Sequence, residues 1–170
     1  MMGSKQRIFV DIDGTLAKWT PVKQFEELLE PGFYVSMEGN HTVLQGLAKF
    51  CESLKDSFDV YTLSAYLREA EFAKVEKNAW MDKHVPFISK RNRVFCYCDE
   101  EKNVAVPGGV RPDDILLDDY SKNLHEWQGI GIKLLNGING TKGTWRGKTI
   151  SMSLSPEAFA EELIRLAQKT

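Results

Sequence analysis

Four short stretches of the chain carry side chains that could do chemistry together. The first is Asp11-Ile12-Asp13-Gly14-Thr15, directly after the short strand-like segment 7–10. A carboxylate is ionised at neutral pH and can attack phosphorus, giving an aspartyl-phosphate. A second carboxylate two residues on reaches the other side of the phosphorus once the chain turns. Gly14 permits that turn and a close backbone approach to phosphate. The second stretch is Val60-Tyr61-Thr62-Leu63-Ser64-Ala65. A hydroxyl at a strand end donates to a phosphoryl oxygen, and Ser64 is the expected donor. Period-2 alternation makes Thr62 a packed strand residue. The third requirement is a lysine that holds phosphate and offsets the carboxylates. Lys102 lies 16 residues before Asp118 and is the expected one; Lys77, within Glu76-Lys77-Asn78-Ala79-Trp80, is the rival. The fourth stretch is Ile115-Leu116-Leu117-Asp118-Asp119. Adjacent carboxylates at the end of a buried strand are costly unless a cation is present. Mg²⁺, which prefers oxygen ligands and keeps water and phosphate in its shell, suits such a site.

These stretches need elements to bring them together. Strands are expected at 7–10, 58–63, 94–98, 115–117 and 130–135. Apolar residues Val43, Leu44, Leu47, Phe50, Cys51 and Leu54 make one helical stripe over 41–54, and 66–83 also reads as helix. A short helix fits 25–29, and a last helix starts with Ser155 as N-cap and Pro156 at its first position. Strands alternating with helices give an α/β fold with a parallel five-stranded sheet between helices. Such sheets bind ligands beyond the carboxyl ends of their strands, where the four stretches fall. The whole chain, 1–170, reads as one domain, with 17–40 as a small insertion after the first strand. The dipeptides Asn136-Gly137 and Asn139-Gly140, with Gly143 and Gly147, suggest a hairpin-like extension over 136–150.

Asp11-Ile12-Asp13-Gly14-Thr15-Leu16 resembles motif I of the haloacid dehalogenase (HAD) superfamily, and the four stretches follow that superfamily's motif order over about residues 7–135. The resemblance implies a Rossmann-like core with a cap inserted after the first strand. It implies Asp11 as nucleophile and Asp13 as general acid/base. Ser64 and Lys102 resemble the phosphate-holding residues of motifs II and III. Mg²⁺ would be held by Asp11, the Asp13 carbonyl and Asp119, with Asp118 behind them. The chain is also similar to a narrower group, the 5'(3')-deoxyribonucleotidases, through Ser64-Ala65, Glu76-Lys77-Asn78-Ala79-Trp80, Leu116-Leu117-Asp118-Asp119 and Leu29-Glu30-Pro31-Gly32-Phe33. The implied activity is hydrolysis of nucleoside monophosphates. A base needs an aromatic platform, and Trp19, Phe33 and Tyr34 are the cap candidates, with the cap's own small core as their other use. The alternatives are a phosphatase of sugar phosphates or polynucleotide ends, and a non-catalytic module binding a phosphorylated ligand.

Composition sets outer bounds. A formal charge of -2 from 22 basic and 24 acidic residues argues against general nucleic-acid binding. No apolar stretch is long enough to span a bilayer, and the polar start Met1-Met2-Gly3-Ser4-Lys5 is unlike a signal peptide. Three cysteines, Cys51, Cys96 and Cys98, make a poor disulfide framework, so free thiols and a cytoplasmic location are expected.

Overall fold

A computed structural model of the chain describes residues 3–19, 21–137 and 143–168. One sheet contains β1 (Gln6–Val10), β2 (Phe58–Tyr66), β3 (Arg93–Tyr97), β4 (Ile115–Asp118), β5 (Ile130–Leu135) and β6 (Lys148–Ser151). The spatial order is β3-β2-β1-β4-β5-β6, and every pairing is parallel. The longer helices are α1 (His41–Leu54), α2 (Phe72–His84), α3 (Ser121–Glu126) and α4 (Pro156–Gln168). Both faces of the sheet are covered, which is why its central strands read as unbroken apolar runs. On β1, Ile8 and Val10 join the core made with Val43, Leu47 and Phe50 of α1, Trp80 of α2, and Phe159 and Leu163 of α4. Phe9 points the other way, onto Leu124 and Trp127. Gly46 lets α1 and α4 close together, because a Cβ there would lie 2.5 Å from the Phe159 ring. Ser155 caps α4 as expected, its Oγ accepting the Ala158 N–H at 3.2 Å.

Among the described residues the sheet has six strands, not the expected five. The sixth begins within 136–150, where a hairpin-like extension was expected. Lys148–Ser151 pairs with β5 in parallel, from Ile132↔Lys148 to Leu135↔Ser151. A parallel neighbour starts at the same end of the sheet as β5, so β5 and β6 do not form a hairpin. Asn-Gly dipeptides signal a local turn and do not fix the direction of the strand that follows; Asn139-Gly140 itself lies outside the described residues.

Two departures in length shape the site. β2 continues to Tyr66, three residues past its expected end, and α2 begins only at Phe72. β1 pairs with β2 only as far as Val10↔Thr62, while β3 follows β2 on to Tyr66↔Tyr97. Residues 63–66 of β2 therefore have no β1 neighbour on the side facing the Asp11 turn.

Residues 17–40 leave and return at one stem. Lys18 N–H donates to Glu38 O at 2.7 Å, Asn40 N–H to Leu16 O at 2.7 Å, and Ala17 bridges Gly39. Within this excursion Phe25–Leu29 forms a 3₁₀ helix. The Glu76 carboxylate on α2 accepts the N–H groups of Gly32 at 2.8 Å and of Tyr34 and Val35 at 3.1 Å each. Trp80 Nε1 donates to Met37 O at 2.7 Å. Two side chains of α2 thus pin the excursion over the site. The Gly/Pro loop 106–112 sits at the opposite end of the sheet. There the buried Arg7 guanidinium pairs with Asp114 and donates to Pro107 O and Gly109 O. Among the described residues, no helix is long and apolar enough to cross a membrane.

Candidate active site

The chain starts in β1, builds outward to β3, then crosses to β4 on the other flank. The carboxyl ends of β1 and β4 mark the switch point where such sheets open a crevice. Asp11 leaves β1 there, its N–H still bonded to Leu117 O at 2.9 Å. The next residues turn tightly: Thr15 N–H donates to Ile12 O, and Gly14 N–H to Ala17 O. Gly14 has φ +85°, a left-handed conformation natural to glycine. A Cβ on it would lie 2.3 Å from Asp119 Oδ2, so the absent side chain is what lets the β1 turn meet the β4 carboxylate.

The expected lysine and its rival are both in the site, on different partners. Lys102, in the 3₁₀ helix Lys102–Ala105, is 3% exposed. Its Nζ donates to Asp11 Oδ1 at 2.8 Å, Asp118 Oδ2 at 2.7 Å and Leu63 O at 2.9 Å. Lys77, on α2, is fully buried. Its Nζ donates to Asp13 Oδ2 at 2.7 Å, Ser64 Oγ at 2.9 Å and Ala65 O at 2.7 Å. The carbonyls of Leu63 and Ala65 are those that β2 presents where β1 has ended. A buried carbonyl needs a donor, and the two ammonium groups supply it. Overrunning β2 therefore fixes both lysines and, through Lys77, the Ser64 hydroxyl. Thr62 is turned to the core, its Oγ1 donating to Met81 Sδ at 3.2 Å.

Asp11, Asp118 and Asp119 are buried, and one carboxylate oxygen from each lies within 4.8 Å of the others. Both Asp118 oxygens are engaged within the protein: Oδ1 by the Tyr120 N–H at 2.9 Å, Oδ2 by Lys102 and by Asn123 Nδ2 at 3.1 Å. Asp13 Oδ1 is buried without a hydrogen-bond partner while its Oδ2 holds Lys77. Asp11, Asp13, Asp118 and Asp119 face two ammonium groups, which leaves a formal charge of -2. Burial first, and then the Asp118 carboxylate, pushes the Asp11 carboxyl well above the ordinary carboxylate range against the pull of Lys102. For Lys102, burial opposes the charge, but Asp11 and Asp118 outweigh it and raise the ammonium pKa. A hard, oxygen-only cluster with surplus negative charge fits a divalent cation such as Mg²⁺.

These groups floor a cavity of about 460 Å³, lined also by Trp19, Tyr120 and Cys98. Of the three expected platform aromatics, Trp19 alone lines it. Tyr34 is 3% exposed and packs with Ala70 and Ala73, so it offers no face to a ligand. Phe33 packs against the same cluster, edge-on to Trp19 with ring centroids 6.1 Å apart. The cap's aromatic residues had to fill a small core, and that need took two of the three. Arg146 donates to its own loop carbonyls, Gly143 O and Trp145 O. Sequence reasoning missed Tyr120, Asn123 and Asn136. Tyr120 and Asn136 stand just after the carboxyl ends of parallel strands, which is the signal that could have found them, and Asn123 follows on the first turn of α3.

A family model described as "5' nucleotidase, deoxy (Pyrimidine), cytosolic type C protein" matches residues 15–148. Asp11 and Asp13 stand just before the matched stretch. No curated protein matches the chain. A solved structure described as "Structure of Pnkp1/Rnl/Hen1 complex" is similar at TM-score 0.49 and 14% identity, over 87% of this chain and 46% of that one. The chain thus spans just under half the length of that similar chain.

Proposed function

The chain belongs to the family of cytosolic type C deoxypyrimidine 5' nucleotidases, HAD-type phosphatases, and from that premise we propose that it is a Mg²⁺-dependent hydrolase of nucleoside monophosphates working through an aspartyl-phosphate on Asp11. The observation that carries this reading is the convergence of Asp11, Asp13, Ser64, Lys77, Lys102 and Asp119 at one end of the sheet.

Asp11 Oδ attacks phosphorus, and the P–O bond to the leaving group breaks. Asp13, on the same turn, gives its proton to the leaving oxygen and then takes one from the water that releases phosphate. Lys77 holds Asp13 through Oδ2, which keeps the carboxyl oriented for both transfers. Ser64 and Lys102 are the donors that meet the phosphoryl oxygens in this reading, and Lys77, whose three N–H groups hold Asp13, Ser64 and Ala65 O, supports them from behind. Asp11, the Asp13 carbonyl and Asp119 are the residues that would hold Mg²⁺, and Asp118, with both oxygens engaged, orients Lys102 and the turn at Tyr120. When bound, the ion offsets charge on the phosphoryl group and keeps Asp11 ionised. Trp19 offers the base a stacking face, a contact worth about 1–3 kcal/mol.

The test is a panel of deoxy- and ribonucleoside 5'- and 3'-monophosphates, sugar phosphates and 5'- or 3'-phosphorylated oligonucleotides, with phosphate release measured with and without Mg²⁺. Nucleoside monophosphates are expected to lead, with no turnover by a folded Asp11→Asn variant. A clear preference for sugar phosphates or polynucleotide ends overturns the substrate assignment. Full activity of Asp11→Asn overturns the nucleophile. No release from any ester, p-nitrophenyl phosphate included, favours a non-catalytic binding module.

A further inference from the structure

Asn136 lies just past β5, in a dipeptide whose sequence signals only a turn. Its Nδ2 donates to Gly14 O at 2.7 Å and to Asp119 Oδ2 at 3.0 Å. A side-chain amide nitrogen has two hydrogens, and these contacts use both. One nitrogen therefore ties the turn that carries Asp11 and Asp13 to the carboxylate that follows β4. The three segments meet tightly: the Asp119 carboxylate rests on bare Gly14, and Asp119 is 3% exposed. A carboxylate in that position can rotate about its terminal bond unless a donor fixes it. The Asn136 amide is such a donor, and it is anchored by a main-chain carbonyl that belongs to the same turn as the nucleophile.

We infer that Asn136 is a positioning residue for the metal site, fixing the rotation of Asp119 and its separation from the Asp11 turn. The inference rests on Asp119 being a metal ligand, as proposed above. Asn136 does not line the cavity floored by Asp11, Asp13 and Asp119. Its effect is on how ready the oxygens are for a cation, so it belongs in the metal affinity more than in the chemical step. Partners that orient a metal ligand typically contribute about 10–100-fold to metal affinity.

The experiment measures Mg²⁺ binding directly, by calorimetry, on the full-length wild type and on Asn136→Ala and Asn136→Leu. The leucine keeps most of the volume without a donor. Both variants are expected to bind Mg²⁺ about 10–100-fold more weakly, with kcat largely restored at saturating Mg²⁺ and metal-free Tm close to wild type. A merely structural role would lower Tm and leave the Mg²⁺ dissociation constant unchanged, and that result overturns the inference. The wild-type protein gives a second measurement should either variant fail to fold. The Asn136 side-chain amide signals in ¹H–¹⁵N spectra are expected to shift in step with Mg²⁺ titration, and their indifference to saturating Mg²⁺ also overturns it. If the wild type binds no Mg²⁺ at all, the proposed metal site fails instead, which separates the two outcomes.

Discussion

Replacing Gly14 with alanine tests the packing between the two carboxylate-bearing turns. The new Cβ would lie 2.3 Å from Asp119 Oδ2 and 2.8 Å from its Cγ, whereas ordinary contact begins near 3.4 Å. One of the two turns must retreat by about 1 Å, the scale at which misplaced catalytic groups cost roughly 10²-fold in rate. That loss is about 2.7 kcal/mol of transition-state stabilisation. The retreat also strains the 3.0 Å bond from Asn136 to Asp119. Separately, alanine at φ +85° carries a left-handed penalty of about 1–2 kcal/mol. For a chain of this size that lowers Tm by roughly 2–8 °C. The assay is phosphate release from dUMP across a Mg²⁺ series, with thermal unfolding followed in parallel. The expected signature is a fall of about two decades in kcat/KM beside a small fall in Tm. A folded Gly14→Ala protein with activity within about threefold of wild type would show that Asp119 does not need its place against the turn.

Other perturbations address the lysines, a partly buried imidazole and the thiols. Lys102→Met leaves Asp11 and Asp118 buried without their shared cation, a change expected to cost about 3–5 kcal/mol in urea unfolding, with turnover lost. An unchanged unfolding midpoint would contradict the buried pairing. Lys77→Met should reduce kcat, because the contacts that hold Asp13 Oδ2 and the Ser64 hydroxyl disappear; an unchanged kcat counts against those contacts. Burial, and then Lys83, lowers the pKa of His84, which stacks on Trp80 at 4.3 Å. Below its unfolded pKa the unfolded chain binds the proton more readily than the folded one, so stability falls as pH drops through the window below about 6.5. Tm measured between pH 7.5 and 5 should therefore fall further in wild type than in His84→Gln. Burial pushes the thiol of Cys51 up to about 12 and of Cys96 up to about 11, and it raises that of Cys98 as well, but Cys98 alone of the three is exposed, at the cavity. At pH 8 a thiol reagent should label Cys98 in the folded protein and the other two only after denaturation; three equally fast thiols would refute this burial pattern.

The sequence by itself determined the α/β alternation and the placing of Asp11, Asp13, Ser64, Asp118 and Asp119 at the carboxyl ends of strands. Apolar period and turn chemistry are local properties, and they mark the approximate end of each strand, although β2 runs three residues past its expected end. It also carried both lysines, but as competitors, because a lysine's sequence position does not say which carbonyl it will meet. The tertiary structure made them partners: β2 outruns β1, leaving Leu63 O and Ala65 O to be satisfied, and each takes one ammonium group. The same kind of fact separated Trp19, on the cavity, from Tyr34, spent on the cap's core. It turned an apparent hairpin into parallel β6 and brought Asn136 to Gly14 across 122 positions. Such contacts depend on strand register and on which groups remain unpaired after the sheet forms, and neither is a property of any one segment.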